Sequence, residues 1–380
     1  MRSVQHDPWI SPVFSDDAGI SCQARDKLRG NLTKGENALE TKKLGRQTVR
    51  FASPPAIVGS GSVAGSKEGR GPLGTYFDLV CQDDRLQQDS WEKAETAMQK
   101  KALSFALNKA GLVTEQIEYV LAGDLLNQCI ATSYSMRAQA LPFFGLYGAC
   151  STMAEGLSLA AMLIDGGFAS YSAALTSSHF CSAERQYRNP LEYGGQKPPT
   201  AQWTTTGAGA VILAKKGSGP FLTHVTTGKI VDKGITDANN MGAAMAPAAY
   251  DTIRTHLQET GRTPEFYDKI ITGDLGNLGQ EIVRDFFRQD GIEFGERYTD
   301  CGVLLFDPQM QDVHSGASGC GCSAIVLTGY LLQEMAQKKY KNILFCGTGA
   351  LHSPLSTLQG ESIPGICHAV AISAEKGAHT

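Results

Sequence analysis

Two stretches decide how this chain folds: Gly111-Leu-Val-Thr-Glu-Gln-Ile-Glu-Tyr-Val-Leu-Ala-Gly-Asp-Leu125 and Gly261-Arg-Thr-Pro-Glu-Phe-Tyr-Asp-Lys-Ile-Ile-Thr-Gly-Asp-Leu275. Laid over one another they coincide at Gly111/Gly261, Glu115/Glu265, Gly123/Gly273 and Asp124/Asp274, and Asn127/Asn277 continues the match at the same offset of 150. A helical pattern precedes each copy, over 91–109 and over 248–260. Each copy then passes through a short capped turn into an apolar strand, 119–122 or 269–272, and Thr263-Pro264-Glu265 is a good helix start with Pro at its first position.

A second pair of segments follows in the same order. Gly148-Ala-Cys150-Ser151 leads into an apolar helix over 153–164 and a strand over 171–176; Gly319-Cys320-Gly321-Cys322-Ser323 leads into a helix over 324–336 and a strand over 342–346. Both helices are apolar on nearly every side, which in a globular chain means burial. Helices alternating with short apolar strands specify an α/β class with a mostly parallel sheet. The expected architecture is a duplication: a disordered N-terminal extension over residues 1–42, a first half over 43–222 and a second half over 223–380, with the two buried helices between their sheets. Gly59-Ser-Gly61-Ser-Val-Ala-Gly65 lacks the Lys-Ser/Thr ending of a P-loop and reads as a turn.

Composition narrows the function classes. The 380 residues are 42% hydrophobic and 19% charged, as in an ordinary globular protein. Lys and Arg total 34 against 38 Asp and Glu, and no basic block offers a nucleic acid a surface. No apolar run reaches the roughly 18 residues of a membrane span, and the N-terminal residues lack the apolar core of a signal peptide. The ten cysteines include no CxxC or CxxH, so reduced thiols are expected, with neither a disulfide framework nor a zinc site. His224, His256, His352 and His368 have no ligand spacing, and neither a metal nor a cofactor is expected.

Cys150 is the sharpest chemical candidate. Small residues place it at the start of a helix, where free N–H groups and the helix dipole lower a thiol's pKa and can make it a nucleophile for acyl transfer. Free Cys is also among the most buried residue types, so a small core residue fits the same pattern.

Gly148-Ala-Cys150-Ser151, the strand-like Gly207-Ala-Gly209-Ala-Val-Ile-Leu213 and Gly347-Thr-Gly349 together resemble the thiolase and ketoacyl synthase superfamily. That resemblance implies a five-layered αβαβα duplication with a nucleophilic Cys at position 150, assisted by two polar residues, mainly His or Asn, from the second half. The stations fall here on Asp274 and Ser318, with His314 four residues upstream of the latter. An ionised Asp274 would raise the Cys150 pKa and cannot donate to a developing oxyanion, so acyl transfer is disfavoured. What remains is a pocket lined by Cys150, Asp274, Ser318 and Gly319.

Longer strings narrow the resemblance. Gly71-Pro-Leu-Gly-Thr-Tyr-Phe-Asp78, Leu121-Ala-Gly-Asp-Leu-Leu-Asn-Gln128, Ser178-His-Phe-Cys-Ser-Ala-Glu-Arg-Gln-Tyr187, Tyr193-Gly-Gly-Gln-Lys-Pro198, Lys233-Gly-Ile-Thr-Asp237 and Met245-Ala-Pro-Ala-Ala249 are similar to the stage V sporulation protein AD family, from about Lys43 to Ala374. The resemblance implies a non-enzymatic protein of endospore formers that binds dipicolinic acid or its calcium chelate. It implies a part in moving that ligand into the forespore and in its release on germination, at the spore inner membrane and as a peripheral protein. Partners implied are other stage V sporulation A operon proteins, some of them membrane proteins, and a second copy in a homodimer. The alternative is an acyltransferase or ketosynthase-like enzyme working through a Cys150 thioester. For a flat pyridine with two carboxylates, Arg185 and Lys197 are the expected cations, Tyr187 and Tyr193 the expected ring faces, and His179 an orienting residue. A solvated loop or an interface would use the same residue types.

Overall fold

The computed structural model of the chain describes residues 42–188, 190–194 and 196–377; the extension expected over 1–42 lies outside the described residues apart from Lys42. The duplication is visible strand by strand. One set comprises β1 (Ala56–Ala64), β2 (Tyr119–Gly123), β3 (Phe143–Gly145), β4 (Tyr171–Ser178) and β5 (Gly207–Ala214). The other comprises β6 (Phe221–Thr226), β7 (Lys269–Thr272), β8 (Tyr298–Asp300), β9 (Asn342–Ala350) and β10 (Gly365–Ser373). The spatial orders are β3-β2-β4-β5-β1 and β8-β7-β9-β10-β6, so each strand occupies the same place in its set as its counterpart. The pairing senses repeat as well: three parallel strands, then two antiparallel ones.

The principal helices repeat too. They are α1 (Trp91–Ala110), α2 (Ile130–Gln139), α3 (Thr152–Asp165), α4 (Phe180–Tyr187), α5 (Met241–Thr260) and α6 (Gly276–Gln289). A seventh, α7, starts at Cys320–Ile325, passes through a π-helical stretch Val326–Leu331 and ends with Leu332–Ala336. The matched glycines have one cause. Gly111 and Gly261 cap α1 and α5 with φ of +66° each, their N–H groups returning to the last helix carbonyls; only glycine takes that left-handed geometry without a Cβ penalty. The helix expected from Ala248 begins earlier, at Met241, because the Asn240 side chain caps the Ala243 N–H at 3.3 Å and Pro247 is accommodated inside α5.

Layering follows from which faces are apolar. α1 packs on the outer side of the first set with Met98, Leu103 and Ala106 fully buried, and α5 and α6 cover the outer side of the second with Met245, Ile253 and Phe287. Between the sets α3 touches β2 and β4 on one side and β9 and β10 on the other, with α7 beside it against β1, β4 and β5. The central core they share includes Met153, Leu157, Ile164, Ile325, Val326 and Phe345. The glycine-rich segment expected to turn is instead strand β1. Its glycines admit α1 at backbone distance, since a Cβ on Gly61 would lie 2.0 Å from the Ala102 carbonyl oxygen and one on Gly59 2.2 Å from that of Ala106. All nine described cysteines are free, and no described helix is long and apolar enough to cross a membrane.

Candidate functional site

The segments that follow parallel strands converge on one cavity of ≈ 260 Å³, the usual position for a ligand site in an α/β sheet. Leu125 comes from the end of β2, Tyr147, Ala149 and Cys150 from the end of β3, and Ala183, Tyr187 and Arg188 from α4 after β4. Ser318 and Gly319 come from the start of α7, and Leu351, His352 and Ser353 follow β9. The lining is predominantly apolar with a few placed polar groups, as ligand pockets are.

Cys150 sits on a strained turn. Ala149, just before it, has φ +49°, a conformation that costs a non-glycine residue of the order of 1–3 kcal/mol. Hydroxyls hold the turn: Ser151 Oγ donates to the Gly148 carbonyl and Thr152 Oγ1 to that of Ala149, both at 2.7 Å. The thiol is not the activated group that a helix start suggests. Burial pushes its pKa well above the free value, and the charge of Asp274 pushes the same way. The start of α3 does not offset both.

Asp274 is fully buried and stands close enough to Cys150 for its charge to act on the thiol. Its carboxylate is held by neighbours: Oδ1 takes the Thr348 hydroxyl at 2.8 Å and Oδ2 the Gly319 N–H at 2.9 Å, while the Asp274 N–H donates back to Thr348 Oγ1 at 3.0 Å. Burial raises this carboxyl to about 6, and the hydrogen bonds it accepts hold it down from a higher value. At neutral pH the carboxylate is therefore ionised against a neutral thiol. The Gly319 N–H, which could serve an oxyanion, is spent on Asp274. Gly319 itself, at φ +96°, leaves no room for a Cβ, which would lie 2.8 Å from Ser178 Oγ.

Several expected site residues stand elsewhere. Arg185 projects into solvent and pairs with Glu92. Tyr193 is 73% exposed and lines no part of the cavity. His179 is a buried cap: its Nδ1 accepts the Cys181 N–H at 3.2 Å and its Nε2 meets the Asp84 carbonyl at 2.9 Å. Lys197 lies behind the wall, 2.9 Å from Glu184 Oε1 and over the rings of Phe180 and Trp203. His314 faces Asp312 and does not reach the cavity. Cys150, Tyr187, Ser318 and Gly319 do line it, and Asp274 lies directly behind.

Arg188, His352, Tyr147 and Thr348 join the site without being expected there from the sequence. The end of α4 decides the first: Ala183 and Tyr187 share a helix face at i, i+4 with Arg185 on the far side, while Arg188 lies just past the last helical residue, at φ −123° and ψ −87°, and so leaves the helical spacing to line the cavity. His352 follows the Gly347-Thr-Gly349 motif at the end of β9; its ring packs 5.9 Å from that of Tyr187. Tyr147 and Tyr187 share a hydroxyl contact, and both donate toward the Leu125 carbonyl.

The chain has counterparts among known proteins. The sequence profile of the family "Stage V sporulation protein AD (SpoVAD)" matches residues 45–373. The chain belongs to the stage V sporulation protein AD family. The stage V sporulation protein AD of Bacillus subtilis (strain 168) is 44% identical over 337 residues, spanning 89% of this chain and 99% of that protein. A sporulation role follows from membership in the SpoVAD family.

Among solved structures, OleA of Xanthomonas campestris aligns with TM-score 0.56 at 15% identity, covering 87% of this chain and 100% of that one. The 3-oxoacyl-[acyl-carrier-protein] synthase III of Aquifex aeolicus VF5 aligns with TM-score 0.52 at 14% identity, over 84% and 99% of the two chains. At such identities they show the fold alone, the duplicated thiolase-like α/β fold. In this SpoVAD-family chain, the stations at which the superfamily resemblance implied His or Asn carry a buried carboxylate, Asp274, and a serine, Ser318.

Proposed function

We propose that the chain binds dipicolinic acid, free or as its calcium chelate, in the cavity over Cys150 and does no chemistry on it. The observation that carries this reading is the pairing of Cys150 with Asp274. A nucleophilic thiol needs a nearby base or a depressed pKa, and here burial first and then the Asp274 charge resist thiolate formation. The cavity nevertheless keeps its shape, an aromatic wall at Tyr187 and a cation at Arg188. The protein's place in sporulation is then as a peripheral receptor taking part in uptake of dipicolinate into the forespore, and in its release on germination. It works at the inner membrane beside the other stage V sporulation A proteins. A homodimer is supported by β3, an edge strand whose Phe144 is 52% exposed beside Phe143 and Tyr147; unpaired apolar edges invite a partner strand.

The alternative, an acyltransferase acting through a Cys150 thioester, draws support from the shared fold and the retained Cys. Intact-protein mass after incubation with acyl-CoA separates the two. The binding reading expects no added mass together with saturable dipicolinate binding; an acyl adduct on Cys150 that turns over would replace it.

A further inference from the structure

Charged groups of both signs stand at the cavity. Behind the floor, beneath Cys150, lies the Asp274 carboxylate, and the floor itself is Leu125, Ala149, Cys150 and Ala183. On the wall stands Arg188, its side chain 14% exposed. Glu184, one turn back on α4, grips the guanidinium through Nη1 and also accepts from Lys197 Nζ at 2.9 Å and Thr204 Oγ1 at 3.1 Å. That grip leaves Arg188 Nε buried with no hydrogen-bond partner, and His352 Nδ1, in the same lining, is likewise buried and unpartnered. Buried polar nitrogens left without partners are costly and rare in folded proteins. Two cations, Arg188 and Lys197, meet at one Glu184 oxygen, so the wall carries an excess of positive charge.

Resting on the dipicolinate reading, we propose that Arg188 is the residue that receives a ligand carboxylate, with Glu184 as its positioning residue, and that this sets the ligand's orientation. Pyridine-2,6-dicarboxylate has one charged edge, formed by its two carboxylates and ring nitrogen, and one C–H edge. The charged edge faces Arg188 and His352, away from Asp274. The C–H edge, with ring position 4 at its centre, packs on the apolar floor, and Tyr187 lies alongside the ring. The helix start at Cys150 therefore does not hold a carboxylate, because the buried Asp274 charge repels one there.

The test is calorimetric titration of the full chain and its variants with three ligands: dipicolinate, pyridine-2-carboxylate and 4-hydroxypyridine-2,6-dicarboxylate. Losing a hydrogen bond to a charged group weakens binding about ten- to a hundredfold. Arg188→Gln is expected to weaken dipicolinate by that factor and to shrink its advantage over pyridine-2-carboxylate. Arg188→Lys, which keeps the charge, is expected to recover part of the loss, and Arg185→Gln to change nothing. In the unmodified chain the 4-hydroxy ligand should bind at least about tenfold more weakly, since its hydroxyl meets a floor without a partner. If dipicolinate binds and both Arg188 variants retain full affinity, or if the 4-hydroxy ligand binds equally well, the orientation is wrong while the receptor reading stands. If the unmodified chain binds no dipicolinate, both fall.

Discussion

The Asp274 carboxylate stands against the Cys150 thiol, and both groups are buried. Ionising the thiol would set two negative charges side by side in a dry site, which the protein resists more strongly than the start of α3 can favour. Removing that charge reverses the effect. Asp274→Asn should lower the Cys150 pKa, enlarge the thiolate population and speed alkylation by iodoacetamide at least about tenfold. An unchanged alkylation rate, with the fold intact by circular dichroism, would show that burial alone silences the thiol.

Gly319 carries a second prediction. At φ +96°, with Ser178 Oγ 2.8 Å from a hypothetical Cβ, it has no room for a side chain. Gly319→Ala should destabilise the protein by about 1–3 kcal/mol in urea unfolding and loosen the N–H that steadies Asp274 Oδ2. A variant as stable as the parent would mean that the turn relaxes freely.

The pH dependence of stability has a definite sign. Burial raises Glu68 and Glu95 to about 8 and Asp274 to about 6. Each native group binds its proton more tightly than the unfolded chain does. Their contribution is therefore fully present below the unfolded carboxyl pKa of about 4 and is lost as pH rises through the raised values. Glu68 is the clearest case: Oε1 accepts the Thr206 N–H at 2.9 Å, and Oε2 has no partner. Thermal melting of the parent should fall between about pH 5 and pH 8, and Glu68→Gln should reduce that fall. A variant whose melting temperature tracks the parent's across the range would rule out Glu68 as a source.

Self-association offers a fourth check. If β3 is where two copies meet, Phe144→Lys should shift sedimentation from dimer to monomer without unfolding the chain. Sedimentation of the parent as a monomer would remove the homodimer from the account.

Much of the fold is legible because the duplication preserves residues that backbone geometry demands. Gly111 and Gly261 match since both cap helices in the left-handed region, and Asp124 and Asp274 both accept hydrogen bonds at a strand end. Glycine also misleads. Gly59 and Gly61 suggest a turn by composition, yet they serve the close approach of α1, which only packing reveals. The group formed by Cys150, Asp274 and Gly319 can be read from the repeat and the superfamily resemblance. The wall cannot. Arg185, Tyr193 and Lys197 have the right chemistry, but α4 ends at Tyr187 and the non-helical Arg188 that follows takes the cavity, while Glu184 holds Lys197 behind it. His179 has a suitable ring and is consumed as a helix cap.

The most direct measurement compares dipicolinate binding by the parent with that of Ala183→Leu, a change that fills the cavity from its apolar floor, where Ala183 is 3% exposed. Calorimetry should give saturable binding for the parent with one site per chain, weakened at least about a hundredfold in the filled variant while its melting curve still shows a folded protein. Dipicolinate binding that survives the filled cavity unchanged, or none in the parent, would contradict the claim that this cavity is the receptor site.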